Sequence, residues 1–146
     1  MKNLKRSEVR EAVFFLTFER LFSSGTADEI IDTAYEADVF EMNEDVEKLF
    51  KAVDEKSEQI DGIIAGFSEK RQVNRIPKVS AAVLRIAVYE IMFDDSVPDN
   101  VAISEAVILT KKFAYEADVQ FVNGLLGAFF RSREENKGNK NENSGN

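Results

Sequence analysis

Two basic segments hold the side chains of this sequence that could bind phosphate. Residues 1–10 carry four basic residues against the single acid Glu8, a net charge of +3 (four minus one). Residues 70–85 carry five basic residues and no acid, a net charge of +5. These residues are Lys2, Lys5, Arg6 and Arg10 in the first segment and Lys70, Arg71, Arg75, Lys78 and Arg85 in the second. Folded onto one face, the two segments would make a surface for RNA; the alternative is that they are ordinary solvated side chains.

Charge is unevenly distributed along the chain. The 146 residues have a net charge of −8, which alone would argue against binding to nucleic acid. Residues 28–61 account for this sign, because they hold thirteen acids against three lysines, a net charge of −10. We expect this acidic third of the chain to face away from RNA or to meet a basic protein.

Cysteine and histidine are absent from the sequence. Their absence excludes thiol nucleophiles, Cys/His zinc sites, histidine general bases and Ser-His-Asp triads. The many carboxylates fall on solvated helix faces, which favours a protein without catalytic residues, metal or cofactor. The charged N-terminus resembles neither a signal peptide nor a membrane span, so we expect a cytoplasmic protein that does not associate with membranes.

Apolar residues recur at spacings of three and four almost throughout, which predicts an all-α single domain of about seven helices. Pro77 marks a joint between two helical halves, about 4–69 and 76–133, and the polar tail 134–146 is predicted to be disordered. The predicted helices are 7–22 capped by Ser7, one capped by Thr26 or Asp28, a continuous helix 44–67, a central helix capped by Ser80, 101–114 and 119–133.

Two helices have unusual faces. The first has so broad an apolar face that we expect it to be buried on two sides. The last contains Gly124 and Gly127, each of which costs about 1 kcal/mol of helix stability relative to alanine. Something must therefore pack close to this helix. A neighbouring helix is the favoured explanation, and an approaching partner or nucleotide is the alternative.

Four segments, in this order and spacing, resemble the successive signature segments of the NusB family. They are REAVFFLTFE (10–19), KVSAAVLRIAVYEIMF (78–93), VPDNVAISEAVILTKKF (97–113) and FVNGLLG (121–127). The resemblance implies an all-helical fold of two subdomains and a non-catalytic bacterial factor that joins the small-subunit ribosomal protein NusE. In that family the pair binds single-stranded boxA RNA on nascent transcripts within the transcription elongation complex. It supports processive antitermination of ribosomal RNA operons and small-subunit maturation, and some members form homodimers through the RNA-facing surface.

The resemblance also implies roles for individual residues. The family's arginine-rich N-terminus corresponds to Lys2, Lys5, Arg6 and Arg10, and Phe18 and Ser80 lie beside NusE. The FVNG motif places Phe121 near the RNA surface, and Asn123 either joins that surface or has a structural role. From the charge distribution, and not from the resemblance, Arg71, Arg75 and Lys78 would add RNA contacts from the second basic segment; Arg71 stands where related sequences often have Trp. Ser80 stands where many relatives have a carboxylate, which removes a salt bridge to a basic partner.

Two alternatives belong to other classes of protein. One is a helical protein-interaction module that does not bind RNA. The other is the RNA-binding domain found in front of some ribosomal RNA cytosine methyltransferases. The chain is too short for that enzyme and lacks the cysteine that its catalytic half requires.

Overall fold

The computed structural model describes residues 3–68 and 73–144, with side chains described for 3–68 and 74–138. Across these residues the chain forms seven α-helices, one short 3-10 helix and no strand, so the predicted all-α fold is confirmed. The helices are α1 (Arg6–Arg20), α2 (Ala27–Ala37), α3 (Glu44–Glu55), α4 (Ser57–Phe67), α5 (Lys78–Phe93), α6 (Asp99–Phe113) and α7 (Glu116–Ser144), and the 3-10 helix is Val73–Arg75.

Side chains cap the starts of α2 and α3. Thr26 Oγ1 accepts a hydrogen bond from the Glu29 amide at 3.2 Å, as the sequence predicted, and Asn43 Oδ1 accepts one from the Val46 amide at 3.0 Å. The prediction that Ser7 caps α1 is wrong. The helix begins one residue earlier, because Glu8 reaches back to accept the Lys5 amide at 3.0 Å and fixes Lys5 as the first flanking residue.

The predicted continuous helix 44–67 is also wrong, because the chain breaks at Lys56. Lys56 has φ −95° and ψ 5°, outside the α-helical region, and a new helix starts at Ser57. α3 packs on α1 while α4 packs on α5, so the two segments serve different neighbours. Val53 and Ile60 are seven residues apart, and this spacing keeps the apolar period across the break. Periodicity alone therefore could not reveal it.

α5 is the central helix, as predicted. It contacts α1, α3, α4, α6 and α7, and its buried side chains occupy nearly its whole circumference. Ser80, however, does not cap it. α5 begins at Lys78 directly after Pro77, which places Ser80 in the third helical position. The Ser80 side chain is fully buried there, and its hydroxyl has no hydrogen-bond partner.

α6 and α7 differ from their predicted ends. α6 starts at Asp99, directly after Pro98, instead of at residue 101. α7 continues to Ser144, where the sequence predicted a helix ending at residue 133 and a disordered tail. The continuation contains no proline that would end it, and the side chains of residues 134–138 are exposed, so this stretch adds no burial to the core. Among the described helices, none has the length and apolar character needed to cross a bilayer.

Candidate functional site

Lys5 and Arg6 place the first basic segment at the start of α1. Lys5 flanks the helix and is exposed, and Arg6 is its first residue, with 44% of its side chain exposed. Lys2 lies outside the described residues. The structure thus brings two cations of the predicted RNA-binding arm to the surface side by side.

Arg10, in contrast, is buried. Its side chain makes a two-pronged contact with Glu90 on α5, with Nε 2.8 Å from Oε1 and Nη2 2.9 Å from Oε2. Both residues are almost completely buried, and Glu105 Oε2 lies 3.9 Å from Arg10 Nη1. The predicted RNA contact by Arg10 does not fit this burial, because its donors already satisfy a carboxylate inside the protein. Arg10 joins α1 to α5. The signal for this role was Glu90, a lone acid within an otherwise apolar stretch of α5.

Arg6 also faces acids. Its Nη2 lies 2.8 Å from Asp94 Oδ2 and 3.3 Å from Glu90 Oε2. Asp94 in turn accepts hydrogen bonds from the backbone amide and the hydroxyl of Ser96. Burial raises the pKa of Asp94, but the Ser96 hydrogen bonds and the Arg6 charge outweigh it and hold that pKa below its usual value. Asp94 is therefore a firmly ionised partner for Arg6.

The second basic segment lies at the opposite end of α5. Arg75 is exposed in the 3-10 helix and Lys78 is half-buried at the first turn of α5, whereas Arg71 falls outside the described residues. Arg85 is paired with Asp61 at 2.7 and 3.0 Å, so its charge is matched. Arg6 contacts Glu90, which lies twelve positions after Lys78 on α5 (90 minus 78). At 1.5 Å per residue, roughly 18 Å along the helix therefore separates Lys78 from the position of Arg6. The two segments do not form one compact patch.

Part of the FVNG motif lies on the exposed side of α7. Phe121 is half-buried and packs against the core, while Asn123 and Gly124 are exposed. A Cβ at Gly124 would meet no atom within 4 Å, and one at Gly127 would meet only the end of the flexible Arg131 side chain, at 3.3 Å. The favoured explanation of these glycines, a closely packed neighbouring helix, is therefore wrong. The alternative of an approaching partner or nucleotide remains.

Phe18 borders an apolar groove beside α1. The Phe18 ring centroid lies 6.1 Å from that of Phe14 and 5.0 Å from that of Phe22, which is 66% exposed. The groove has a volume of about 460 Å³ and is lined by Phe15, Phe18, Glu19, Phe22, Val39 and Phe40. The breadth of the apolar face of α1 was its signal. We expected burial on both sides, but the structure leaves the Phe22 side uncovered.

A second cavity extends this groove towards acidic side chains. It has a volume of about 240 Å³, shares Phe15 and Phe40 with the groove, and adds Glu8, Glu11 and Glu41 to the lining. The combined surface, which we call the Phe18 groove, has an apolar floor and an acidic margin. Ser80 lies elsewhere, buried in α5, so its predicted contact with a partner does not fit the structure.

In the part of the chain that the structure describes, no three histidine, cysteine, aspartate or glutamate side chains are grouped so that they could hold a metal ion. The described residues form three exposed surfaces that could bind other molecules. Cations stand at the start of α1, an open polar face lies on α7, and the Phe18 groove exposes apolar side chains.

Solved structures show the class of fold. T. maritima NusB superposes with a TM-score of 0.77 at 29% identity, covering 87% of this chain and 91% of that one. A crystal structure of the antitermination factors NusB and NusE in complex with dsRNA matches with a TM-score of 0.75 at 25% identity, covering 87% of this chain and 96% of that one. The helices described above are thus arranged as in NusB.

Sequence comparisons show the family. The NusB family model matches residues 7–131. Transcription antitermination protein NusB of Thermoanaerobacter sp. (strain X514) is 35% identical over 141 residues, covering 96% of this chain and 100% of that protein. The protein of the same name from Clostridium acetobutylicum is 34% identical over 134 residues, covering 90% and 99%. The chain belongs to the NusB family, as its signature segments indicated.

Proposed function

We propose that this protein is a transcription antitermination factor that joins NusE and binds boxA RNA on nascent transcripts within the elongation complex. There it supports processive ribosomal RNA transcription and small-subunit maturation. The observation that carries the proposal is family membership across residues 7–131, together with a NusB of the same fold whose crystal structure contains NusE and dsRNA.

The proposed RNA surface uses the exposed cations and the open face of α7. Lys5 and Arg6 supply phosphate contacts, and Asn123 supplies a polar group beside the uncrowded backbone of Gly124. Phe121, packed against the core, supports this face from beneath. We leave Arg10 out of the surface because it is buried.

Cations from the second basic segment would extend this surface. Arg75 and Lys78 stand at the far end of α5 from Arg6, so an RNA that contacts both groups runs along the length of that helix. Lys2 and Arg71 belong to the same proposal from positions outside the described residues.

The proposed NusE surface is the Phe18 groove. Exposed apolar side chains grouped in a concavity are typical of protein interfaces, and Phe22 and Val39 are 66% and 80% exposed there. Glu11 on the margin is paired with Lys112 at 2.8 Å, and Glu8 and Glu41 add acidic groups that complement a basic ribosomal protein. A homodimer formed through the RNA-facing surface is the competing assembly, and it would reduce RNA binding as the protein concentration rises.

The alternative is a helical protein-interaction module without RNA binding. One observation favours it: Arg10 is buried and Arg6 is paired with Asp94, so the arm offers RNA less charge than its sequence suggests.

An RNA titration separates the two functions. We would measure the affinity for boxA RNA and for a scrambled RNA of equal composition, with and without NusE, at 50 and 200 mM salt, values within the range where phosphate contacts respond strongly. A duplex RNA serves as a further ligand. The proposal requires weak binding to boxA alone, tighter binding with NusE, and a loss of affinity at higher salt. NusE binding that leaves RNA affinity unchanged would favour the interaction module.

A further inference from the structure

Asp94 is the principal partner of Arg6. Its Oδ2 lies 2.8 Å from Arg6 Nη2, whereas the contact with Glu90 is longer, at 3.3 Å. Glu90 is also less available, because both of its oxygens already accept hydrogen bonds from Arg10, at 2.8, 2.9 and 3.1 Å. Arg6 is therefore held mainly by one carboxylate, which lies just beyond the end of α5.

The ion-pair cluster that contains Arg6 has no positive excess. Arg6 and Arg10 contribute two positive charges, while Glu90, Asp94 and Glu105 contribute three negative charges, so the cluster sums to −1 (two minus three). A phosphate that approaches Arg6 therefore meets a carboxylate already bonded to the same nitrogen. Glu90 and Asp94 together occupy both N–H groups of Nη2, so a phosphate that binds this nitrogen must replace one of them, and Asp94 is the more exposed of the two.

The exchange is structurally easy. The Arg6 side chain is 44% exposed and lies in the first turn of α1, so it can turn outwards without disturbing the core. Asp94 keeps its two hydrogen bonds from Ser96 after Arg6 leaves, so the chain after α5 stays in place. Arg10 remains bound to Glu90 throughout.

We propose that Asp94 competes with RNA phosphate for Arg6, so that this carboxylate sets how much Arg6 contributes to RNA affinity. The inference rests on the proposed function, in which Arg6 belongs to the RNA surface. Asp94 acts on RNA through Arg6 and need not touch the RNA itself.

The test compares Asp94→Asn with Asp95→Asn. The amide introduced by Asp94→Asn keeps an oxygen that can accept the Ser96 amide but loses the charge that holds Arg6. Asp95 is the adjacent exposed acid and makes no ion pair within the described residues, so its substitution changes the net charge equally. Any difference between the two variants then reports the contact with Arg6 and not the overall charge.

With NusE present, we expect Asp94→Asn to bind single-stranded boxA RNA roughly two- to five-fold more tightly than Asp95→Asn, the range expected for releasing a partly exposed ion pair. The plot of log affinity against log salt should steepen by about 0.7, the contribution of one added phosphate contact. Both differences should vanish when Arg6→Gln is added to each variant. If Asp94→Asn unfolds at a clearly lower temperature than the wild-type protein, Asp94→Ser replaces it in the test, because the serine hydroxyl can still accept a hydrogen bond from Ser96.

A second readout does not depend on RNA. Phenylglyoxal modifies free guanidinium groups, and peptide mapping would measure its rate at Arg6. We expect faster modification in Asp94→Asn than in Asp95→Asn. Equal RNA affinities of these two variants, in a protein that binds RNA, would overturn the inference and leave the proposed function standing. Absence of RNA binding by the wild-type protein with NusE would overturn both, even if the modification rates differ.

Discussion

Replacing Arg10 by methionine should destabilise the protein far more than replacing Arg6 by glutamine. Arg10→Met removes three hydrogen bonds from Glu90, which is 1% exposed, and among the described residues leaves its carboxylate with only the 3.3 Å contact to Arg6. A buried charge that loses its partner costs about 3–5 kcal/mol, a large share of the roughly 5–15 kcal/mol that stabilises a typical domain. Arg6→Gln breaks a partly exposed pair and should cost about 1 kcal/mol or less.

Urea unfolding followed by circular dichroism at 222 nm would measure both free energies, with unchanged m values confirming a comparable unfolded state. The double variant Arg10→Met/Glu90→Leu serves as a control. Removing both charges should recover most of the loss, because buried pairs are often replaceable by apolar residues. Arg10→Met with stability within about 1 kcal/mol of wild type, together with lost RNA binding, would refute this reasoning and return Arg10 to the RNA surface.

Substitutions at three positions probe the candidate surfaces. Gly124→Ala should stabilise the protein by about 1 kcal/mol in thermal or urea unfolding. Gly124→Leu should still fold, because a side chain there meets open space, and an unfolded Leu variant would mean that the glycine serves packing. Ser80→Ala should raise the free energy of unfolding by roughly 1–2 kcal/mol, because it removes a buried unpaired hydroxyl. The affinity for NusE, measured by calorimetry, should not change, and weaker NusE binding would contradict the burial of Ser80. Phe22→Glu should weaken NusE binding by roughly 2 kcal/mol, whereas Ile108→Glu, at another exposed apolar site, should not; equal effects would argue against the Phe18 groove.

The helical fold could be predicted because its cause is local. Spacings of three and four between apolar residues specify buried helix faces, and the Thr26 cap is a contact between residues three apart. The break at Lys56 could not be predicted, because Val53 and Ile60 on either side of it keep the apolar spacing of one continuous helix. Ser80 has the chemistry of a cap, but α5 starts after Pro77 and draws it into the helix.

Arg10 and Gly124 show why the candidate site was harder to predict than the fold. The partner of Arg10 lies 80 positions away in the sequence. Glu90 is conspicuous there as a lone acid, but no local pattern shows that its main partner is Arg10 and not Arg6. Gly124 lies on the side of α7 that faces away from its neighbouring helices. Only the packed structure shows that a side chain at this position would meet open space. The Phe18 groove was hard to predict for the same reason. Whether the apolar face of α1 is covered depends on where α2 and the segment after it are placed.

Transcription past a terminator tests the central proposal most directly. The reaction would contain RNA polymerase, NusE, the other elongation factors and a template whose transcript carries boxA, with and without this protein. We expect the protein to increase the fraction of full-length transcript, and we expect a scrambled boxA to abolish the increase. The same read-through with and without the protein, in a reaction where a relative's NusB raises it, would contradict an antitermination function.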